Sequence, residues 1–407
     1  MRVLRIGTLY LDYWTNFYKR RPGLQKRDYA EQLSALFNDF FAQSDSYSHY
    51  LRQHGYDCQE VLANVQPLQK TWARENGIGW NQREFVTRLP LEFARRFRPD
   101  IVFVNNFSVF GTTWIKELKA LCPTVRLSAI WCASPISSLD VLSGYDLVLT
   151  SSPAMLRRLR SERLRSELLR HAFDPRILGR IDSYGEKNIE FSFIGSINRG
   201  DQFHNFRAEL IRQLIKHLDL SLFCPNNKGS FLKIFLRRAA YDVIRVFRLM
   251  SMPDRAIYRL PLIRRGCSYE STPLFPWQDI FLSLNRGAVY GLKMYETLSR
   301  SRLTLNVHID QAGDYTGNMR LFEATGVGTC LLTDWKKDLP KLFEPDLELV
   351  TYESIEECIE KARWLLTHPH QCSEIAEAGQ RRTLREHTYE QRVAELDHIF
   401  RKELCRA

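Results

Sequence analysis

The segment NMRLFEATGVGTCLLTD, from Asn318 to Asp334, combines glycines with one acidic residue at a spacing that suits nucleotide binding. Gly317 precedes a short helical run, Gly326 and Gly328 close it, and the apolar run TCLLT then predicts a strand. The start of a helix presents free backbone N–H groups and a positive dipole end, which can hold a diphosphate. Glu323, further along the helix, can accept hydrogen bonds from both hydroxyls of a ribose. The alternative is an ordinary solvent-exposed glutamate, because glycine-flanked helices are common.

Two side chains near the end of an upstream strand can reach the same ligand. The run LTLNVHID predicts a strand that brings Asn306 and His308 to its carboxyl end. His308 could contact a bound phosphate, and a buried structural role is the alternative. Asn318 and Arg320 flank the predicted helix start, where Arg320 could offset negative charge. Lys293, in GLKMYETL, is a second cationic candidate.

Three stretches between Gly291 and Phe400 follow one another in a specific order, namely YGLKMYETLSRSRLTLNVH, NMRLFEATGVGTCLLTD and LLTHPHQCSEIAEAGQRRTLREHTYEQRVAEL. Together they resemble the C-terminal half of GT-B glycosyltransferases, specifically the CgeB-like branch related to the group-1 family. In that broader family two glutamates lie eight positions apart, the second on the ribose and the first near the sugar and its phosphate. Glu323 matches the second glutamate. Tyr315 stands at the first position with Asp314 beside it, and both are candidate site residues.

The runs FRPDIVFVNN, GYDLVLTSSPAMLRRL and HAFDPRIL resemble the N-terminal, acceptor-side domain of the same enzymes. In this resemblance HAFDP ends that domain where it faces the donor, which makes His171 a candidate catalyst. A structural hydrogen bond is the alternative for a single histidine. Asp140 and Asp174 are further candidates for a base.

The run IEFSFIGSINRGDQFHNFRAELIRQL repeats the order of strand, glycine turn and helix. The resemblance makes it the first unit of the donor domain, whose loop meets the pyrophosphate. It therefore implies that four loop residues lie near phosphate oxygens, namely Gly195, Ser196, Asn198 and Arg199. Arg207 could assist, because a guanidinium pairs with two phosphate oxygens at once. A surface arginine with no ligand is the alternative.

Strands that alternate with helices must position these residues. The runs VLRIGTLYL, CQEVLAN, IVFVNN, VRLSAIW and DLVLTSS predict parallel strands, with an aromatic, basic loop from Asp12 to about Lys26 and a helical region from Asp28 to Tyr56. Ligands of such doubly wound sheets bind beyond the carboxyl ends of the strands. Six residues at those ends are candidates for lining a cleft: Thr8, Asn105, Asn106, Phe107, Ser134 and Ser151. Helix capping is the alternative for each of them.

The chain length of 407 residues predicts two domains of roughly 200 residues each. The polar stretch DSYGEKN, Asp182 to Asn188, marks the boundary between them. We predict an α/β protein of the GT-B fold, with two Rossmann-like doubly wound domains facing a cleft. The expected ranges are an acceptor-side domain at 1–185, a nucleotide-sugar donor domain at 186–385 with a basic helical insertion at 228–265, and a C-terminal helix at 386–407. The resemblance returns that last helix to the first domain.

The composition excludes several classes of protein. Hydrophobic residues make up 44% and charged residues 26% of the chain, which is typical of globular proteins. No apolar run approaches the roughly 20 residues that cross a bilayer, and the N-terminus lacks the features of a signal peptide, so a cytoplasmic protein is expected. Nine cysteines without CxxC spacing predict reduced thiols and no structural zinc site. No DxD-type metal pair is present, and we expect neither a metal nor a cofactor.

The net charge of +11 predicts an anionic partner. A nucleoside diphosphate and a phospholipid surface fit best, whereas nucleic acid is not expected because no helix-turn-helix, RRM or zinc-finger spacing is present. Within 228–265, an apolar stripe follows alternating four- and three-residue steps: Leu232, Leu236, Ala239, Val243, Val246 and Met250. Basic residues flank this stripe: Lys233, Arg237, Arg238, Arg245 and Arg248. The pattern predicts a basic amphipathic helix that either packs on the domain or lies on anionic lipid.

The resemblance implies a glycosyltransferase that moves a sugar from a nucleoside diphosphate, with UDP favoured, to a hydroxyl acceptor that could be lipid-linked. Surface-glycan or glycolipid synthesis at the inner face of the cell membrane would fit. The resemblance implies retention of configuration, and the lack of a metal pair implies metal independence. An inactive nucleotide-binding scaffold and a nucleotide-sugar epimerase of the same architecture are the alternatives, because fold does not secure turnover.

Overall fold

The computed structural model of the chain describes residues 1–132, 136, 138–182, 185–197, 205–225, 231–250, 252–253 and 279–406. Ser134, Asn198 and Arg199 lie outside these residues, as do 228–230, 251 and 254–265 of the predicted insertion. No helix in the described parts of the chain is both long enough and apolar enough to cross a lipid bilayer.

The first half of the chain forms a six-stranded parallel sheet in the order β2-β1-β3-β4-β5-β6. Its strands are β1 Arg2–Gly7, β2 Asp57–Leu62, β3 Ile101–Val104, β4 Leu127–Trp131, β5 Leu147–Thr150 and β6 Ser166–Leu168. The helices around it are α1 Leu11–Lys19, α2 Tyr29–Phe37, α3 Ser46–Gln53, α4 Gln66–Glu75, α5 Phe85–Phe97, α6 Thr112–Leu121 and α7 Pro153–Ser161.

The second half forms a five-stranded parallel sheet in the order β11-β10-β9-β7-β8. Its strands are β7 Ile189–Ile194, β8 Ser221–Phe223, β9 Ser301–Asn306, β10 Cys330–Asp334 and β11 Val350–Tyr352. Its helices are α8 Asn205–His217, α9 Phe231–Leu249, α10 Asp279–Leu284, α11 Leu292–Ser299, α12 Arg320–Gly326, α13 Ile355–Thr367 and α14 Pro369–Glu386.

Both sheets are covered on both faces, which explains their continuous apolar strands. Every residue of β3 and β5 is buried, and separate apolar cores pack on the two sides of each sheet. Parallel sheets need this coverage because their crossover helices lie on both faces. The predicted fold class, with two doubly wound sheets, is confirmed.

The last helix, α15 Tyr389–Leu404, packs against the first domain. The Tyr389 ring lies 5.1 Å from the Tyr47 ring of α3, and Lys402 Nζ lies 2.7 Å from Glu167 Oε1 of β6. The chain thus returns to its N-terminal half after completing the second sheet.

Two predicted segments near the N-terminus differ from the structure. The expected loop from Asp12 to about Lys26 contains helix α1, because Tyr13, Phe17 and Tyr18 pack into an apolar cluster. The expected helical region from Asp28 to Tyr56 is broken between α2 and α3. Three residues at that break take positive φ values without being glycine, namely Phe40, Ala42 and Ser44. Tertiary packing imposes this conformation, since no glycine or proline signals it.

Candidate functional site

A cleft of about 450 Å³ lies where the carboxyl ends of the two sheets meet. The first domain contributes the loop after β1 and the break after α2, through Thr8, Tyr10, Phe41 and Ala42. The second domain contributes residues that follow β7 and β9 and that begin α12, among them Gly195, Ser196, Arg207, Asn306, Asn318, Met319, Arg320 and Glu323. This is the position at which doubly wound sheets bind their ligands.

Glu323 forms part of the cleft wall and is held in place by two neighbours. Its side chain is buried, with Oε2 2.8 Å from Arg320 Nη1, and the Tyr295 hydroxyl donates a hydrogen bond to the carboxylate. Burial raises the pKa of Glu323, and the Arg320 charge and the Tyr295 hydrogen bond offset part of the rise. Arg320 also donates to the carbonyl of Ile194, 3.3 Å away. Glu323 is therefore a fixed carboxylate at the cleft, in contrast to the solvent-exposed alternative.

A chain of amides continues along the same wall. The Asn306 side chain donates to Thr333 Oγ1 at 2.9 Å, and Asn318 donates to Asn306 Oδ1 at 2.7 Å. The remaining atom, Asn318 Oδ1, is buried and has no hydrogen-bond partner among the described residues. Buried polar atoms are rarely left unpaired in folded proteins. A ligand hydroxyl or N–H in the cleft would satisfy this oxygen.

The loop that leads into α12 is fixed from the other domain by Arg170, which the sequence analysis did not single out. Arg170 Nη1 donates to Thr316 Oγ1 at 2.9 Å, and Nη2 lies 2.8 Å from Asp338 Oδ2. Asp338 in turn accepts hydrogen bonds from the Thr316 amide and hydroxyl, both at 2.8 Å. This buried network holds the backbone immediately before Gly317 and Asn318.

His171 supports the same loop from behind the cleft. Its ring is buried 5.0 Å from the Trp131 ring and donates a hydrogen bond to the Gly317 carbonyl. Burial lowers the pKa of His171 to about 4, so the imidazole is neutral near pH 7. His171 and Gly317 do not line the cleft. The contact places the His171 ring against the loop that precedes α12, and a catalytic role for this histidine stays a prediction.

His308 also lies behind the wall. Its Nδ1 is 2.7 Å from Asp334 Oδ1, and its backbone N–H donates to the same oxygen at 3.0 Å. Burial would raise the pKa of Asp334, but the His308 contacts and the nearby Lys336 charge hold it well below its usual range. The two residues brace the ends of β9 and β10 against each other.

Arg207 connects two loops at the floor of the cleft. Its guanidinium donates to the Ser196 carbonyl at 2.8 Å and to the Val307 carbonyl at 2.5 Å. Gly195 and Ser196 lie on the cleft surface beside it. This arrangement places a buried cation next to the loop for which the resemblance implies phosphate contacts.

Five further candidates lie away from the lining of the cleft. Lys293 is exposed and pairs with Glu296 at 3.1 Å. Asp314 is exposed and pairs with Lys337 at 2.6 Å, and this hydrogen bond lowers the pKa of Asp314. Tyr315 is half-buried, with the Arg157 guanidinium 4.5 Å from its ring centre. Of the suggested bases, Asp140 is exposed near Ser138, and Asp174 is buried 2.6 Å from Arg176 Nη2.

The first-domain candidates have different positions. Thr8 lines the cleft, and Asn106 holds it by donating to Thr8 Oγ1 at 2.7 Å. Asn105 lines a smaller adjoining cavity of about 130 Å³, together with Arg5, Tyr13 and Gln43 among others. The cavity shares Thr8, Phe41, Ala42 and Met319 with the cleft. Phe107 and Ser151 line neither space.

Aromatic rings from both domains meet at the edge of the cleft. Tyr13 stacks on Phe41 with ring centres 3.8 Å apart, and Tyr290 of the second domain lies 5.6 Å from Phe41. Tyr10 lies 5.6 Å from Phe41 on the other side. Tyr13 also donates to Asp39 at 2.9 Å. The predicted aromatic loop after β1 thus contributes to the contact between domains.

Within the described parts of the chain, no group of three or more His, Cys, Asp or Glu side chains is arranged to hold a metal ion. Among the described residues that line the cleft, the cations are the guanidinium groups of Arg207 and Arg320.

Residues 253–398 match the sequence profile of a protein family described as "Glycosyl transferase-like". No curated protein matches the sequence. Among solved structures, a glycosyltransferase from Rickettsia africae ESF-5 superposes with a TM-score of 0.54 at 10% identity, over 99% of this chain and 98% of that one. A sucrose-phosphate synthase from Thermosynechococcus elongatus gives 0.53 at 10% identity, over 100% of both chains. Anabaena HepE in complex with UDP and glucose gives 0.52 at 10% identity, over 99% and 100%.

The predicted resemblance to GT-B glycosyltransferases is confirmed, and the CgeB-like branch stays a prediction. The family match lies mainly in the second domain, whereas the structural likeness extends over both domains and shows the shared fold. Together they support a glycosyltransferase.

Proposed function

We propose that this glycosyltransferase moves a sugar from a nucleoside diphosphate to a hydroxyl acceptor, with the donor nucleotide held by the second domain. The observation that carries the proposal is the buried Glu323 carboxylate, fixed by Arg320 at the wall of an interdomain cleft. A fixed carboxylate can accept hydrogen bonds from two adjacent ribose hydroxyls without first being ordered.

UDP is the favoured donor nucleotide. Its support is the similarity to Anabaena HepE, a structure that holds UDP and glucose. In the proposed complex the loop at Gly195 and Ser196 faces the diphosphate, and Asn318 Oδ1 accepts a hydrogen bond from the donor. The acceptor approaches from the first domain, where the smaller cavity adjoins Thr8 and Phe41.

The reaction breaks the bond between the anomeric carbon and the diphosphate oxygen and forms one to the acceptor oxygen, and the leaving diphosphate takes up the proton of the acceptor hydroxyl. Negative charge develops on the leaving diphosphate as its bond to the sugar breaks. The buried guanidinium of Arg207 and that of Arg320 supply positive charge at the cleft, where low dielectric strengthens the interaction. We therefore propose metal-independent transfer, with retention of configuration as the resemblance implies.

We propose that His171 positions the loop before α12 and does not take part directly in catalysis. The buried ring does not line the cleft, and its N–H group donates to the Gly317 carbonyl on the side of the loop. Its contribution is to hold the Gly317 backbone, and thereby Asn318, in one place. His308 has the equivalent task for the end of β9 through Asp334.

The proposal is tested with a panel of UDP-, GDP- and CMP-sugars, by calorimetric binding and by release of free nucleotide without and with chelator. We expect a UDP-sugar to bind and to release UDP slowly, with or without EDTA. Glu323→Ala should weaken binding by about 1–3 kcal/mol. Glu296→Ala on α11 is the matched control, because Glu296 pairs with the exposed Lys293 outside the cleft.

The outcomes separate the alternatives. Binding without release, with any acceptor tried, would favour an inactive scaffold. A changed sugar on an intact nucleotide would indicate an epimerase. Unchanged affinity of Glu323→Ala would remove this residue from the site. The proposed cellular place is the cytoplasm, with surface-glycan or glycolipid synthesis as the proposed pathway.

A further inference from the structure

Helix α9 turns apolar side chains outward. Its most exposed large residues are Phe235, Leu236, Val243, Val246 and Leu249, followed in the chain by Met250, with exposed fractions between 41% and 77%. The opposite side of the helix is anchored by Ile244, which is 2% exposed. The stripe that sequence periodicity identified, at Leu236, Ala239, Val243, Val246 and Met250, is therefore the outer face. These residues do not pack on the domain, which was the alternative considered for the stripe.

Basic side chains lie along the same helix. Arg237, Arg245 and Arg248 are exposed, and α9 holds five basic residues and one acidic residue, Asp242, a net charge of +4. Nineteen residues give a helix about 28 Å long. An apolar stripe along one side of the helix, with arginines on the remaining circumference, is the division found in helices that lie in the plane of a membrane surface, where long basic side chains reach the headgroups.

We propose that α9 binds an anionic lipid surface, with the apolar stripe at the acyl boundary and the arginines on lipid phosphates. Charge complementarity favours this occupant over a second copy of the chain. A two-fold interface through α9 would bring together two helices that each carry a net charge of +4, which like-charge repulsion opposes. Anionic headgroups instead neutralise each arginine that reaches them.

Lipid binding by α9 would add a partner to the proposed function, but it does not depend on that function. A surface-bound enzyme would meet lipid-linked acceptors at high local concentration, but lipid binding itself requires no turnover. The test therefore measures lipid binding alone. Its outcome does not affect the proposed glycosyl transfer, and loss of that proposal would not affect this one.

The test is vesicle flotation at low and high salt, with neutral phosphatidylcholine vesicles and with vesicles that also contain phosphatidylglycerol. We expect the protein to float with anionic vesicles at low salt, and to bind less at high salt because the arginine contacts are screened. Val243→Asp combined with Val246→Asp should reduce binding by about tenfold or more. Asp242→Asn should strengthen it.

Leu121→Asp is the matched control, since Leu121 is an exposed helical leucine of the first domain. It should float like the unaltered protein. Arg237→Gln combined with Arg245→Gln provides a second variant that leaves the apolar packing intact. Equal flotation with neutral and anionic vesicles, or equal flotation of the stripe variant and Leu121→Asp, would overturn the proposal. A dimer that becomes monomeric in the stripe variant would instead identify an interface between copies.

Discussion

Arg170 and the buried Asp338 form an ion pair between the two domains, with Nη2 and Oδ2 2.8 Å apart. They are 168 positions apart in the chain, and both also bond the Thr316 hydroxyl. The pair therefore links the end of the first sheet to the loop that carries Gly317 and Asn318. The relative placement of the two domains and the conformation of the loop before α12 therefore depend on the same contacts.

We expect Arg170→Ala to destabilise the fold by about 3–5 kcal/mol, because it leaves the buried Asp338 carboxylate without its partner. Nucleotide affinity should fall as well, since the Thr316 loop loses its anchor. Urea unfolding and calorimetric binding measure the two effects.

The control for this variant is Arg160→Ala in the same domain. Arg160 and Glu167 form an ion pair on the surface, for which about 0–1 kcal/mol is expected. Equal stability of the two variants would show that the Arg170 contact is not buried as described.

The Glu323 carboxylate should make donor binding depend on pH. Burial raises the pKa of Glu323, so the carboxylate takes up its proton at a higher pH than an ordinary glutamate. A protonated carboxyl group loses capacity to accept hydrogen bonds, and nucleotide affinity should fall as pH decreases through that raised pKa. Calorimetry across mildly acidic pH measures the decline.

Glu323→Gln is expected to bind more weakly but with a flatter pH profile, because the amide does not titrate. A profile as steep as that of the unaltered protein would assign the titration to another group. The raised pKa of Glu323 also makes the stability of the fold depend on pH. The folded state binds the proton more tightly than the unfolded state, so this residue's contribution to stability is greatest at low pH and declines as pH rises through the folded pKa.

His171 should contribute the opposite pH dependence to stability. Its pKa is lowered from 6.5 to about 4, so the unfolded state takes up a proton first and stability is lost as pH falls between these values. The difference corresponds to about 3 kcal/mol. His171→Phe should remove this part of the decline when unfolding is compared at pH 7 and at mildly acidic pH.

The unaltered His387 serves as an internal reference in that experiment. Its pKa is also lowered to about 4, by burial, and it should keep its own share of the pH dependence in the variant. If His171→Phe retains the full decline, His171 does not contribute as proposed. A drop in nucleotide affinity at pH 7 is also expected, because the Gly317 carbonyl loses its donor.

Two glycines have the same φ value but different surroundings. Alanine variants of the two therefore distinguish the cost of local backbone strain from that of a contact between domains. Gly291 and Gly313 both have φ +57°, which side chains rarely adopt, and either change to alanine should cost about 1–3 kcal/mol. At Gly291 a Cβ would also lie 2.5 Å from the Asp39 carbonyl oxygen of the first domain, whereas nothing lies within 4 Å at Gly313.

Gly291→Ala should therefore be the more destabilising change and should also loosen the contact between domains. Thermal unfolding measures the first effect, and small-angle scattering measures the expected increase in size. Equal unfolding temperatures and equal sizes for the two variants would show that the approach of Gly291 to Asp39 is not constrained.

Local patterns in the sequence predicted the elements that carry the second-domain wall. Glycine spacing and the apolar run located α12 and β10, and the strand LTLNVHID brought Asn306 to its carboxyl end as predicted. The same patterns missed the short strands β6, β8 and β11, each three residues long, because so few residues show no periodicity. They also missed α1, whose aromatic residues are buried by distant neighbours.

The sequence by itself determined most of the longer strands and helices, and hence that Glu323 lies in the first turn of a helix after a glycine loop, because these properties depend on neighbours within a few positions. Only the tertiary structure decided what surrounds them. It left the apolar stripe of α9 exposed, placed the His171 ring in hydrogen-bond contact with Gly317, and paired Arg170 with Asp338. Such contacts join residues far apart in the chain, and they arise from how two separately patterned sheets pack, which local spacing does not encode.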